Sequence, residues 1–175
     1  MAPHYTTILV TTTLAISIFF LPICSSSDFV DNTCKQTSNY QTCVSTIKSD
    51  PKSSSARDVT SLALIMVNSL KSKSNSALFT INQLLKSKST SSASRVGLNQ
   101  CLKRYNFILR YDVTEAVEAL TKGDPKFAED ATRDAAFVVQ ECEDGFHSKL
   151  SPISNLNRAA RDTADVATSL VRMLL

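Results

Sequence analysis

The chain has 175 residues and a formal net charge of +3, from 19 Lys and Arg against 16 Asp and Glu, with three glycines and no tryptophan. The small positive excess is scattered and forms no basic run, which argues against a nucleic-acid partner. Scarce glycine, together with long stretches of Ala, Leu, Lys, Glu and Ser, favours helices over sheets.

The N-terminal segment has the pattern of a secretory signal peptide. The first 26 residues contain no Asp, Glu, Lys or Arg, and residues 8–23 are almost wholly apolar or hydroxylated before a cluster of small residues. We predict a signal peptide over 1–26, cleaved near Ser26. The alternative is a membrane anchor, which needs about 20 apolar residues and usually has charged flanks. The prediction is a secreted protein with no membrane association after cleavage.

Four cysteines remain after this cleavage, and an even number in a secretory context predicts two disulfides. They are Cys34, Cys43, Cys101 and Cys142. A zinc site is disfavoured because no two of them have C-x2-C spacing and His147 is the only histidine of the mature chain. We therefore expect no metal or cofactor.

The region 27–57 precedes the long helices and holds two of these cysteines. In one straight helix Cys34 and Cys43 would lie roughly 13 Å apart, beyond the reach of a disulfide. If they pair, a turn must separate them, and residues 35–40 supply turn and N-cap residue types. This gives a helical hairpin held by a disulfide, although the other two connectivities stay open.

The remaining chain, 58–175, has four amphipathic helical patterns joined by short connections. We predict a helix over about 58–87 with Asp58 as N-cap and a serine-rich loop over 87–94. A second helix follows this loop, carries an apolar stripe from Leu98 and ends at Lys122-Gly123. A third helix follows Asp124, and a fourth opens with Ser151 as N-cap and Pro152 at its first position. The predicted fold is all-α: an antiparallel up-down four-helix bundle preceded by the N-terminal hairpin.

A pairing of Cys101 with Cys142 tests this bundle. Cys101 lies 21 residues before Lys122 and Cys142 lies 17 residues after Pro125, so in ideal helices they miss being level by roughly 6 Å. Either the turn is asymmetric or one helix is irregular. Residues 111–114 are the predicted place for such an irregularity.

The sequence contains few candidate catalytic residues. Any Ser-His or Cys-His scheme must use His147, whose position near a helix end suits an exposed imidazole. Carboxylates such as Glu115, Glu118, Glu129 and Asp130 fall on polar helix faces, and no glycine-rich phosphate loop is present. We therefore expect a binding or inhibitory protein rather than an enzyme.

The junction between the second and third bundle helices breaks a local rule. With Asp124 as N-cap and Pro125 at the first helical position, Lys126 places a cation at the positive end of the helix dipole. The mismatch costs only about 0.3–1 kcal/mol at an exposed site. Phe127 lies on nearly the same face of the predicted helix as Val138. It therefore either covers the end of the core or contacts a partner protein.

The mature chain resembles the plant invertase inhibitor and pectin methylesterase inhibitor family over nearly its whole length. The segments that carry the resemblance are 34–43, 62–67, 115–124, 140–143 and 170–175. The resemblance implies the pairing Cys34–Cys43 and Cys101–Cys142 and the same fold. The segment 133–139 departs from the family pattern, and the resemblance gives it no role.

Within that family, a Pro-Lys-Phe tripeptide between bundle helices two and three marks the branch that inhibits invertase, and here it stands as Pro125-Lys126-Phe127. The resemblance implies that this tip, with neighbouring Asp124, enters the active site of a cell-wall or vacuolar acid invertase. Lys126 would pair with the carboxylates that split sucrose, Phe127 would make apolar contact, and Pro125 would pre-set the backbone. The implied location is the apoplast, the cell wall or the vacuole.

Two other functions stay open from the sequence. The same fold in the same family also inhibits pectin methylesterase, for which the tripeptide is not the mark. A bundle braced by disulfides can alternatively enclose a lipid or small ligand, although the many large residues of the apolar stripes favour a filled core.

Overall fold

The structure is a computed structural model that describes residues 26–146 and 151–175. The predicted signal segment up to residue 25 and His147 lie outside the described residues. Within the described part of the chain the regular backbone is entirely helical, and none of its helices is long and apolar enough to cross a membrane. The α-helices are α1 Ser26–Cys34, α2 Tyr40–Ser49, α3 Val59–Lys86, α4 Ser92–Phe107, α5 Val113–Lys122, α6 Pro125–Asp144 and α7 Ser154–Arg172.

Helices α1 and α2 form the predicted hairpin. The turn between them ends at Asn39, whose side-chain oxygen accepts a 3.0 Å hydrogen bond from the backbone N–H of Thr42 and so caps α2. This turn brings Cys34 and Cys43 together in a disulfide with a Cα–Cα distance of 5.5 Å. The local pairing is therefore confirmed, and α2 rests on α3 and α7 of the bundle.

The four-helix bundle is formed by α3, the continuous pair α4 and α5, α6, and α7. Helix α3 packs against α4, α5 and α7, and α6 packs against the same three helices from the opposite corner. Asp58 caps α3, as predicted, by accepting a 2.7 Å hydrogen bond from Ser61 N–H. The interior is filled by fully buried side chains that include Leu62, Met66, Leu70, Ile81, Leu98, Tyr105, Ile108 and Leu170.

Two predicted helix starts are wrong by two or three residues. Helix α4 begins at Ser92, inside the predicted loop, because Ser91 caps it by accepting from Ser94 N–H. Helix α7 begins at Ser154 rather than after Ser151. Ser151 is buried and its hydroxyl accepts from Ile153 N–H, so it closes a turn that precedes the helix.

The second disulfide, Cys101–Cys142, joins α4 to α6 with a Cα–Cα distance of 4.8 Å. Residues Ile108–Asp112, between α4 and α5, form a π-helical segment that overlaps the predicted irregularity. A π-helical turn bonds residue i to i+5 and so holds more residues than an α-helical turn. It shortens the arm between Cys101 and Gly123 and takes up part of the mismatch.

Candidate functional site

The junction between α5 and α6 is held by backbone hydrogen bonds. Gly123 adopts the left-handed conformation, with φ of 77°, at the end of α5. The N–H groups of Gly123 and Asp124 both donate to the carbonyl of Ala119, the second at 2.9 Å. The Asp124 bond is the 6→1 bond of a Schellman motif, and the Gly123 bond is the 5→1 bond of a simple left-handed cap. Glycine permits both at a helix C-terminus. The chain therefore leaves α5 and enters α6 along a defined path.

Helix α6 begins at the predicted residue, with Asp124 at the N-cap and Pro125 at the first helical position. The Asp124 carboxylate makes no capping hydrogen bond, and the residue contributes only its carbonyl, which accepts from Ala128 N–H at 3.4 Å. Proline loses nothing here because the first N–H groups of a helix have no intrahelical acceptor. The exposed Asp124 side chain is therefore left available to a ligand.

The lysine of the junction is paired within its own helix. Lys126 Nζ lies 2.7 Å from Glu129 Oε2 and 3.5 Å from Asp130 Oδ1, while its side chain remains 60% exposed. The hydrogen bond from Lys126 to Glu129 raises the pKa of this lysine, so its ammonium group is retained. The i+3 and i+4 carboxylates thus offset the unfavourable helix dipole. An ammonium has three donors, and these contacts leave donor capacity for a further acceptor.

Glu129 is the buried member of this cluster. Its carboxylate accepts from Lys126 on one oxygen and from Arg172 Nε, at 2.8 Å, on the other, with a side chain only 8% exposed. The hydrogen bond from Lys126, which has the larger effect, and the hydrogen bond from Arg172 lower the pKa of Glu129 to about 2. The carboxylate therefore stays ionised in mild acid, and it is shared between Lys126 and Arg172, the last residue of α7.

Phe127 does not cover the end of the core. Its side chain is 56% exposed and lines a surface groove of about 450 Å³ between α6 and the α4–α5 arm. Tyr111 and Arg110 lie on the other wall of this groove. Of the two roles that the sequence leaves open for Phe127, its exposure excludes the first, which is to cover the end of the core.

The tripeptide is readable from the sequence, but the contact of Arg172 with Glu129 and the burial of Asp112 are not. The spacing of Glu129 from Lys126 was a readable signal for an ion pair, whereas nothing local indicates Arg172, which is 43 residues further along the chain.

Asp112, in the π-helical segment, is also buried, and its Oδ2 has no hydrogen-bond donor in the described part of the chain. The pKa of Asp112 is raised to about 7, mainly by burial and to a smaller extent by repulsion from the carboxylates of Asp134 and Glu115.

The structure is a helical bundle with two disulfides, and the start of α6 is exposed to solvent at the junction with α5. A family model described as plant invertase/pectin methylesterase inhibitor matches residues 28–171. The chain therefore belongs to this family, whose members are inhibitor proteins rather than enzymes.

Individual proteins agree with this assignment. The chain is 36% identical to "Cell wall / vacuolar inhibitor of fructosidase 1" of Arabidopsis thaliana over 146 residues, which are 83% of this chain and 69% of that protein. A crystal structure of a mutant form of a pectin methylesterase inhibitor from Arabidopsis superposes with a TM-score of 0.69 over 81% of this chain and 94% of that chain. A second pectin methylesterase inhibitor structure, from Arabidopsis thaliana, gives 0.62 over 85% and 97%. Both are 18% identical to this chain, so they show the fold alone.

Proposed function

We propose that this protein is a secreted inhibitor of plant acid invertase, acting in the cell wall or the vacuole, and that residues 124–127 block the enzyme's active site. The observation that carries the proposal is the exposed Pro125-Lys126-Phe127 tip on an ordered helix start. The relative named as an inhibitor of fructosidase supports the choice of target. Pectin methylesterase is the alternative target.

The chemistry of the tip suits a glycosidase pocket. Glycosidases cleave their substrates with paired carboxylates, and a lysine ammonium that still has donor capacity pairs with such groups. Glu129 restricts the directions open to Lys126, and Pro125 fixes the backbone, so little freedom is lost on binding. Phe127 adds exposed apolar surface beside the charge.

The charges of the tip are constant in mild acid, where acid invertases work. Glu129, with a pKa of about 2, keeps its negative charge there, and the raised pKa of Lys126 keeps its positive charge. We therefore expect the Lys126–Glu129 pair to contribute no pH dependence to inhibition between about pH 4 and pH 7.

The deciding experiment measures sucrose hydrolysis by acid invertase at mildly acidic pH with increasing amounts of the purified, oxidised protein. The wild-type protein should inhibit, and the variant Lys126→Ala with Phe127→Ala should lose inhibition. The matched control is Lys71→Ala with Phe79→Ala, which removes the same residue types from exposed positions of α3. Full inhibition by the tip variant would contradict the mechanism.

The choice of target is tested by a parallel assay of pectin methylesterase with the same three proteins. Inhibition of invertase alone supports the proposal. Inhibition of pectin methylesterase alone would reassign the target within the family and leave the fold unaffected.

A further inference from the structure

Three exposed aromatic residues lie side by side next to the tip. Phe107 and Tyr111, on the α4–α5 arm, are in contact, with their ring centroids 4.8 Å apart and their planes tilted by 42°. Phe107 also lines a groove of about 370 Å³ with Phe137 of α6, and Tyr111 lines the groove that contains Phe127. We call Phe107, Tyr111 and Phe137 the aromatic strip. It continues from Phe127 along the seam between the α4–α5 arm and α6.

These side chains are too exposed to serve the core. Their exposed fractions are 42% for Phe107, 49% for Tyr111 and 61% for Phe137. Single apolar residues at a surface need no explanation, but adjacent ones that form a patch mark a site of interaction. Phe79 on α3, which is 68% exposed, lies outside both grooves and so serves as a comparison.

The tip by itself is too small to hold a protein partner. A specific protein–protein complex buries about 800 Å² on each partner, contributed by roughly 20–30 residues. Three side chains supply only a part of that area, so further surface next to the tip must be covered in the complex. Phe137 lies ten residues after Phe127 in α6, which extends the apolar surface about 15 Å from the tip.

The surroundings of the aromatic strip have the composition of an interface. Arg104 pairs with Glu141 at 3.3 Å on the edge of one groove, and Lys122 pairs with Glu118 on the edge of the other. The guanidinium of Arg110 lies 5.6 Å from the centre of the Tyr111 ring. Aromatic residues enclosed by a charged rim are typical of protein-binding surfaces, and Tyr and Arg are enriched among the residues that contribute most affinity.

We infer that the aromatic strip is a second contact surface for the same invertase, pressed against the protein surface around the active-site entrance while the tip occupies the pocket. This inference rests on the proposed function and deepens it. It also gives a role to the segment 133–139, through Phe137, which the family resemblance leaves without one.

The test compares the strip variant Phe107→Gln, Tyr111→Gln, Phe137→Gln with the matched control Phe79→Gln. Dissociation from immobilised acid invertase and the inhibition constant are measured, with helicity and thermal unfolding as checks of folding. The strip variant should dissociate about tenfold faster or more, because changes within one interface act mainly on the dissociation rate. The control should match the wild-type protein. Since Phe107 and Tyr111 are only half exposed, Phe137→Gln alone is the second variant, with an expected change of about threefold.

The outcomes separate this inference from the proposed function. If the wild-type protein inhibits invertase and the tip variant does not, but the Phe137→Gln protein dissociates like the control, the aromatic strip is not a contact surface. If the wild-type protein fails to inhibit invertase, both proposals fall. If sedimentation shows a wild-type dimer that the strip variant loses, a second copy of this chain is the occupant and the inference is overturned.

Discussion

Arg172 in the last turn of α7 donates a 2.8 Å hydrogen bond from Nε to Oε1 of Glu129 in α6. The other oxygen of the same carboxylate receives Lys126. The C-terminal helix therefore supports the tip through one buried acidic group. This relationship connects the packing of the bundle to the orientation of the residue proposed to enter the target.

Arg172→Met should weaken inhibition of invertase by about three- to tenfold. Without Arg172, Lys126 is the only cationic partner of the Glu129 carboxylate among the described residues, so Glu129 competes more strongly for the ammonium that the target needs. Methionine retains much of the aliphatic stem, so packing changes little. The inhibition constant measures the effect, and Arg161→Met on the same helix, from a pair with Asp165 at 3.8 Å, is the control. Equal inhibition constants for the two variants would refute the supporting role.

The contribution of Asp112 to the stability of the protein should fall as the pH rises from about 4 to 7. Its pKa is raised from 3.8 to about 7 in the folded state, so over this range the folded protein holds a proton that the unfolded chain has lost. The stabilisation by protonation is complete below the unfolded pKa and is lost as the pH passes through the folded pKa. Between pH 5 and pH 8 the loss should be on the order of 2 kcal/mol.

Asp112→Asn tests this dependence, since its neutral side chain resembles the protonated acid. Urea denaturation should give the variant a higher free energy of unfolding than the wild-type protein at pH 8 and a similar one at pH 5. Glu129, whose pKa is lowered from 4.5 to about 2, adds only a small slope of opposite sign near pH 5, where the unfolded glutamate completes its ionisation. Parallel pH profiles for the two proteins would show that Asp112 does not titrate there.

Gly123→Ala should destabilise the protein by about 1 kcal/mol. The position has open space for a Cβ, but its φ of 77° is strained for alanine. Gly123→Asn should cost less, because asparagine tolerates the left-handed region better. Denaturant midpoints of the three proteins measure the effect, and an alanine variant as stable as wild type would mean that the junction can relax.

Loss of the two disulfides should have unequal costs. Replacing Cys101 and Cys142 with alanine should destabilise the fold by about 4 kcal/mol, whereas the same change at Cys34 and Cys43 should cost about 2.5 kcal/mol. The sequence separations are 41 and 9, and a longer closed loop restrains the unfolded chain more. Guanidinium denaturation of the paired variants gives both values. A larger loss for the hairpin disulfide would contradict this ranking.

The sequence by itself determined the features that depend on near neighbours. The cap at Asp58, the left-handed residue Gly123 and the helix start at Pro125 were predictable because each acts within one turn of the chain. The helices were predictable from their apolar period. A helix irregularity near residues 111–114 was predictable from the level that a Cys101–Cys142 bond requires, but its π-helical form and its start at Ile108 were not. The starts of α4 and α7 were not, because capping by Ser91 and the burial of Ser151 compete with equally plausible serines nearby.

Only the tertiary structure decided how the tip is exposed and which residues contact it. The exposure of Phe127 depends on how α6 packs against the α4–α5 arm, and its helical phase allowed either outcome. The contact of Arg172 with Glu129 joins residues 43 apart, and no local pattern encodes a pairing over that distance. The same packing places Phe107 beside Phe137 and removes Asp112 from water, because both depend on which helix faces come together.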